Sequence, residues 1–238
     1  MNAPAHTSQL LLFGGTGAIG SAIAERFLKS GWRVVIVTRQ ANDIADSVQW
    51  DPLDPDDQVG SSSISAYGSY EAVCWAQGQN CNDSIYDVNI SEHEQLYRAN
   101  CLYTLASMQF LVRNNLLAKP ARLCVISSIW QNISRQNKLS YAMTKAACQG
   151  LVLSAANDLG RDGHLINAVL PGALDTPMTR NNLTPEQLAN LEGGTQFGRL
   201  ATLNDVASAV EFLCSGANMS LTGQFIKVDL GYSDVRIV

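Results

Sequence analysis

Residues 10–37 constrain the fold of this chain more tightly than any other stretch. Leu10-Leu-Leu-Phe13 is a short apolar run that stops at Gly14-Gly-Thr-Gly17-Ala-Ile-Gly20. Ile19, Ile23, Ala24, Phe27 and Leu28 then recur at helical spacing up to Gly31, and Val34-Val-Ile-Val37 is a second apolar run. Short continuous apolar runs read as strands buried on both faces, and the recurrence between them reads as an amphipathic helix. Strands joined this way lie parallel, with a right-handed crossover. The glycines have separate mechanical jobs: Gly14 permits a tight turn, Gly17 lets backbone approach a diphosphate, and Gly20 lets the helix pack closely. The helix start offers unpaired amides and the positive end of its dipole. The unit predicts a dinucleotide site, with a plain glycine turn as the alternative.

The same alternation continues along the chain. Ser47-Val-Gln-Trp-Asp51, Tyr70 to Ala76, Leu123-Cys-Val-Ile126, His164 to Leu170 and Gly223 to Asp229 are further strand candidates. Helical spacing runs from Ser91 to Leu117, from Ser140 to Leu159 and from Asp205 to Leu213, the last expected to be capped by Asn204. Asn100 falls inside the first of these helices, where it must be exposed, kinked or functional. A polar stretch over 178–197, in which Thr184 starts a short helix, is expected to form a flap. Alternation of this kind predicts an α/β fold: a Rossmann-type doubly wound parallel sheet of about seven strands, with helices on both faces. No linker or repeat divides the chain, so one domain is expected over 1–238.

Composition removes several classes of function. The net charge of -5 argues against a nucleic-acid surface. No run of about eighteen apolar residues is present to span a membrane. The start has no basic segment followed by an apolar one, so no secretory signal is expected. The six cysteines are scattered without a C-x-x-C pair and read as small core residues in a reducing, cytoplasmic setting. His6, His93 and His164 lack metal-ligand spacing, and no metal is expected.

The chemistry concentrates between Ser128 and Lys145. Leu123 to Ile126 runs into Ser127 and Ser128, and Tyr141 and Lys145 follow on a helix, four apart and on one face. A free tyrosine, with a pKa near ~10, is a poor base at neutral pH. An ammonium one turn away favours its phenolate, and a nearby serine hydroxyl can hold a substrate oxygen. Such a group would move a proton to or from a carbonyl or alcohol. Alone, the pair is equally an aromatic at a core edge beside a solvated charge. The end of the second strand bears on the cofactor. Where NAD sites usually carry an acid, Thr38-Arg39-Gln40 offers a guanidinium, which suits a ribose 2′-phosphate. NADP(H) is therefore favoured over NAD(H), unless Arg39 is merely a solvated loop residue. Asp51 either meets the adenine edge or belongs to an acidic turn.

Taken together, the motifs over roughly residues 9 to 233 resemble the short-chain dehydrogenase/reductase family, and within it the 3-oxoacyl-[acyl-carrier-protein] reductases. The glycine turn resembles the family's nucleotide turn. Asn100, Ser128, Tyr141 and Lys145 match its catalytic tetrad in order and spacing, and Pro171-Gly172 with Thr176-Pro-Met resembles its nicotinamide-side loop. There are departures. Phe13-Gly14 stands where the family usually has Thr-Gly, its usual third turn glycine is Ala18, and Trp75-Ala76-Gln77-Gly78 replaces its Asn-Asn-Ala-Gly.

The resemblance implies an oxidoreductase interconverting a carbonyl and a secondary alcohol. Tyr141 would be the proton donor, Lys145 would support it and bind the nicotinamide ribose, and Ser128 would polarise the carbonyl. Asn100 would hold a water, and Thr176 would contact the nicotinamide amide or the diphosphate. Cofactor contacts are implied at Gly14, Gly17, Ala18, Ile19, Gly20, Arg39, Asp51, Gly78, Tyr141, Lys145, Pro171, Gly172 and Thr176. The substrate would be a small ketone, sugar or alcohol, or a carrier-bound 3-oxoacyl thioester. Arg135 and Arg180 could meet an acidic carrier or be surface charge, and Trp130 and Ile133 could line the pocket or be core. The resemblance also implies a homodimer or homotetramer built on the two long helices. A non-catalytic NADP(H) sensor or scaffold is the alternative, motivated by the departures.

Overall fold

The computed structural model describes residues 7–39 and 46–235. Seven strands, β1 (Gln9–Phe13), β2 (Arg33–Thr38), β3 (Ser47–Gln49), β4 (Tyr70–Trp75), β5 (Leu117–Ile126), β6 (Leu165–Pro171) and β7 (Phe225–Val228), form one parallel sheet in the order β3-β2-β1-β4-β5-β6-β7. Between them lie α1 (Ala18–Lys29), α2 (Gln58–Ala66), α3 (Ile90–Tyr97), α4 (Tyr103–Arg113), α5 (Leu139–Gly160), α6 (Pro177–Asn182), α7 (Pro185–Gly193) and α8 (Leu203–Cys214).

Side chains alternate across the sheet because successive residues of a strand face opposite ways. Leu10 and Leu12 pack with Ile23 and Phe27 of α1 and Val206, Val210 and Leu213 of α8. Leu11 and Phe13 pack on the other face with Ile64 of α2, Leu111 of α4 and Val152 of α5. Helices cover both faces, so the central positions of β1 on either face are apolar. That is the origin of the continuous runs in the sequence. The strand order reverses between β1 and β4, which opens a crevice at their carboxyl ends.

Several element boundaries differ from the sequence expectation. The helix expected over 91–117 ends at Arg113; Asn115 adopts a left-handed φ of 53°, and Leu117 already belongs to β5. Within it, Arg98–Leu102 is a π-helical segment, so Asn100 sits buried at an irregularity rather than in regular helix. The cap of α8 is Thr202, not Asn204. Thr202 and Asp205 form a reciprocal capping box, while Asn204 accepts from Arg26. The expected helix at Thr184 is α7, with a capping box to Gln187.

The two departures at the ends of β1 and β4 form a single packing unit. Phe13 and Trp75 are register partners on neighbouring strands, and their rings stack at 5.7 Å and 5°. Tyr103 meets Phe13 edge-on, and the Trp75 indole N–H donates to Ser107 Oγ at 2.8 Å. Each ring covers the other, so truncating either one leaves a void beside its partner. No helix among the described residues is long and apolar enough to cross a membrane, and no three metal-ligating side chains gather among them.

Candidate active site

The crevice holds two cavities. The first, of about 260 Å³, lies over the glycine turn and is lined by Gly14, Thr16, Gly17, Thr38, Arg39 and Gly78, among others. Gly14 has a φ of 74°, and a Cβ there would meet Gln77 N at 2.6 Å, so the turn presses directly on the loop after β4. A Cβ on Gly20 would lie 2.1 Å from Gly14 O. Gly20 therefore allows α1 to close on its own turn rather than facing the cavity. No side chain caps α1 at Gly17, so its first amides remain available to an anion. These features fit a dinucleotide: bare backbone for the diphosphate, an open helix end, and a guanidinium at the tip of β2. Gln40, His6 and the side chain of Met178 lie outside the described residues.

The second cavity, of about 770 Å³, is lined by Ala18, Ile19, Ser128, Tyr141, Pro171, Gly172 and Thr176, together with α6 and α7 residues such as Thr179, Gln187 and Asn190. The two cavities meet the two ends of one glycine turn, Gly14 and Gly17 on one side and Ala18 and Ile19 on the other.

Each member of the tetrad is held locally. Ser128 ends the β5 extension and caps a short 3-10 turn, where its Oγ accepts from Trp130 N at 3.3 Å. That bond uses a lone pair and leaves the hydroxyl proton free to donate. Tyr141 and Lys145 lie one turn apart on α5, and the Lys145 ammonium is 5.6 Å from the Tyr141 ring centre. Lys145 is buried and donates to Ile126 O at 3.0 Å. Asn100 lines neither cavity. Its amide donates to Gln79 O at 3.0 Å and Thr144 Oγ1 at 2.9 Å, and its oxygen accepts from Gln79 N at 2.7 Å. Asn100 thus clamps the loop after β4. A Cβ on Gly78 in that loop would lie 3.3 Å from Asn100 Oδ1 and 3.6 Å from Lys145 Nζ. Gln77 holds the same loop by donating to Thr104 Oγ1 at 2.8 Å.

Other expected residues sit elsewhere. Asp51 lines neither cavity; its carboxylate accepts from Leu53 N at 3.0 Å, the geometry of an acidic turn. Arg180 makes a two-point pair with Asp175. The Arg180 guanidinium holds the Asp175 carboxyl below its usual range. Trp130 lines the larger cavity, whereas Ile133 packs on the core. Asn80, Lys138 and Tyr232 line the larger cavity without having been expected there. Lys138 is the N-cap residue of α5, three positions before Tyr141, and no spacing rule singles it out.

Comparison with known proteins identifies the family. The family model for enoyl-(acyl carrier protein) reductase, a short-chain dehydrogenase/reductase model, matches residues 61–233. The chain belongs to the short-chain dehydrogenase/reductase family, whose members are NAD(P)-dependent oxidoreductases acting on CH–OH groups. It is 28% identical over 235 residues to the 3-oxoacyl-[acyl-carrier-protein] reductase MabA of Mycobacterium tuberculosis, covering 96% of this chain and 94% of that protein. It is 26% identical to the cis-4-hydroxycyclohexanecarboxylate dehydrogenase of Sinomonas cyclohexanicum, covering 93% and 95%. Among solved structures it superposes on the ligand-free aldohexose dehydrogenase of Thermoplasma acidophilum with a TM-score of 0.87 at 26% identity, covering 98% of this chain and 96% of that one.

Proposed function

We propose that this protein is an NADP(H)-dependent reductase and dehydrogenase that interconverts a carbonyl and a secondary alcohol, with 3-oxoacyl thioesters among its candidate substrates. The observation that carries the reading is the shared cavity of Ser128, Tyr141, Pro171, Gly172 and Thr176, with the Lys145 ammonium 5.6 Å from the Tyr141 ring. When bound, NADPH supplies a hydride to the carbonyl carbon. In our reading Tyr141 gives its phenolic proton to the carbonyl oxygen, and the adjacent ammonium stabilises the phenolate that remains. Ser128 donates its free hydroxyl proton to that oxygen as charge develops there. Lys145 has two donors left after its bond to Ile126, enough for the ribose hydroxyls. Asn100 acts as a positioning residue through Gln79; a water, if it holds one, falls to its remaining lone pairs. Thr176 caps α6 and lines the larger cavity; in our reading it meets the nicotinamide side of the cofactor.

The segment 178–197, with α6 and α7 along the larger cavity, serves as the substrate flap of a single domain. Tyr97, Leu105, Met143 and Leu153 are exposed apolar side chains on α3, α4 and α5, which supports a dimer or tetramer through these helices. Unpaired thiols in apolar surroundings fit a cytoplasmic setting. The departures that motivate the sensor alternative have a packing explanation. The altered β1 and β4 ends stack on one another, and the loop between them and Asn100 is held by two side chains.

Arg39, exposed at the rim of the first cavity, is the phosphate reader in this account. A charge-assisted bond of this kind contributes about 1.5–3 kcal/mol, roughly ten- to a hundredfold in affinity. Calorimetric titration is therefore expected to give NADPH at least about tenfold tighter than NADH, and Arg39→Ala to erase the difference. NADH binding as tightly as NADPH to the unaltered protein would overturn the assignment.

A further inference from the structure

The larger cavity is positively charged on one side, in a protein whose net charge is -5. Two cations, Arg135 and Lys138, line it, and among the described residues its lining includes no aspartate or glutamate. Lys138 is only 4% exposed. An ammonium buried to that degree is normally neutralised by a carboxylate. Here it donates to two neutral oxygens, Asn80 Oδ1 at 2.7 Å and Cys81 O at 2.9 Å. An ammonium has three donors, so one is left over. Asp83 is near enough to favour the ammonium, but its carboxylate accepts from Ser140 N at 2.9 Å and makes no direct ion pair with Lys138 among the described residues. Burial and the neighbouring Arg135 push the Lys138 pKa below its usual value, against the smaller opposing pull of Cys81 and Asp83. Arg135 stands over the Trp130 ring at 5.8 Å and makes no ion pair among the described residues. Arg26, Arg33, Arg180 and Arg199, by contrast, each meet a carboxylate.

The position of this charge is informative. Lys138 Nζ is 5.6 Å from the Tyr141 ring centre, the same distance as Lys145 Nζ. Lys145 lines neither cavity and is turned to Ile126 O, whereas Lys138 opens onto the substrate side. An anion bonded to Lys138 would lie one helical turn from the proposed proton donor.

We propose that the carbonyl substrate carries a carboxylate of its own, read by Lys138 with Arg135 at the cavity mouth. The proposal rests on the oxidoreductase reading for its carbonyl but not for its anion. A phosphate on a carrier arm has the same charge, yet it would sit at the far end of that arm. The closeness of Lys138 to Tyr141 favours an acid on the small molecule itself.

The test is binding calorimetry in the presence of NADP+, which cannot reduce a ketone, so affinity is read apart from turnover. The probes are 4-oxocyclohexanecarboxylate and its methyl ester, then acetoacetyl-coenzyme A and the acetoacetyl thioester of N-acetylcysteamine. The expected result is an acid bound at least about tenfold tighter than its ester, one charge-assisted bond's worth. Lys138→Met should remove that preference while leaving ester affinity within about twofold, a selectivity that mere loss of structure would not produce. Arg135→Gln should weaken the acid in the same direction. Its side chain is exposed, so it tests the charge even if Lys138→Met fails to fold. Equal binding of acid and ester overturns the proposal, as does a preference confined to the coenzyme A pair. Preference for the acid without turnover on NADPH would count against the oxidoreductase reading and leave the anion site standing.

Discussion

Tyr141→Phe is expected to lower kcat for NADPH-dependent carbonyl reduction by about two to four orders of magnitude, the usual worth of a positioned proton donor. The substitution removes one oxygen and no ring. Tyr141 is half-buried on α5, so its ring keeps its packing and the helix keeps its register. NADPH affinity should stay within about twofold, because Lys145, Arg39 and the glycine turn are untouched. A loss confined to kcat identifies an interaction made only in the transition state. Lys145→Met should lower kcat too, but with weaker NADPH binding, since two of its donors are assigned to the cofactor. Stopped-flow kinetics with parallel titration separates the two. A Tyr141→Phe protein with near-normal turnover would remove Tyr141 from the chemistry.

The second large effect is on stability. Trp75 is 1% exposed, stacked on Phe13 and bonded to Ser107. Trp75→Ala should cost about 3–5 kcal/mol through lost contact and the cavity left behind. In a chain of this length each kcal/mol shifts Tm by about 2–4 °C, so a fall of roughly 6–20 °C is expected. NADPH affinity should fall as well, because Ala76, Gln77 and Gly78, which follow Trp75, line the cavity proposed for the cofactor. The stacking makes a sharper statement possible. Phe13→Thr and Trp75→Asn each restore a residue the family usually carries. Each alone leaves a buried ring without its partner, so the double variant should be less destabilised than the sum of the singles, by about 0.5–3 kcal/mol. Additive effects in a denaturation series would mean that the two departures are independent.

These residues also mark the limits of what a sequence reveals here. Strands were legible because a sheet covered on both faces admits only apolar side chains, as in Leu10 to Phe13 and Leu123 to Ile126. The glycine turn was legible because Gly14 and Gly20 occupy places where a Cβ has no room. The nearness of Tyr141 and Lys145, and the place of Ser128 in the same cavity as Tyr141, were legible through spacing and family likeness together; the proposed tetrad rests on that likeness. The π-helical segment at Arg98–Leu102 was not, because one extra residue in a turn barely disturbs an apolar stripe. The Phe13 and Trp75 pair was hidden because it depends on the register of two strands far apart in sequence. The sequence does not separate Thr202 from Asn204 as the cap, because both are good cap residues and only the reciprocal bond between Thr202 and Asp205 decides between them. Lys138 was passed over because a lone lysine in a polar stretch is usually solvated, and its burial is a property of the fold.

The claim at the centre of this account is that the chain moves a hydride from NADPH to a carbonyl carbon while Tyr141 delivers the proton. The most direct measurement incubates the purified protein with NADPH deuterated at the transferable C4 position and a panel of ketones, oxo acids and 3-oxoacyl thioesters. The predicted result is an alcohol with a single deuterium on its carbinol carbon, formed in step with NADP+ and abolished in Tyr141→Phe. NADPH that binds yet stays unconsumed across the whole panel would contradict the account.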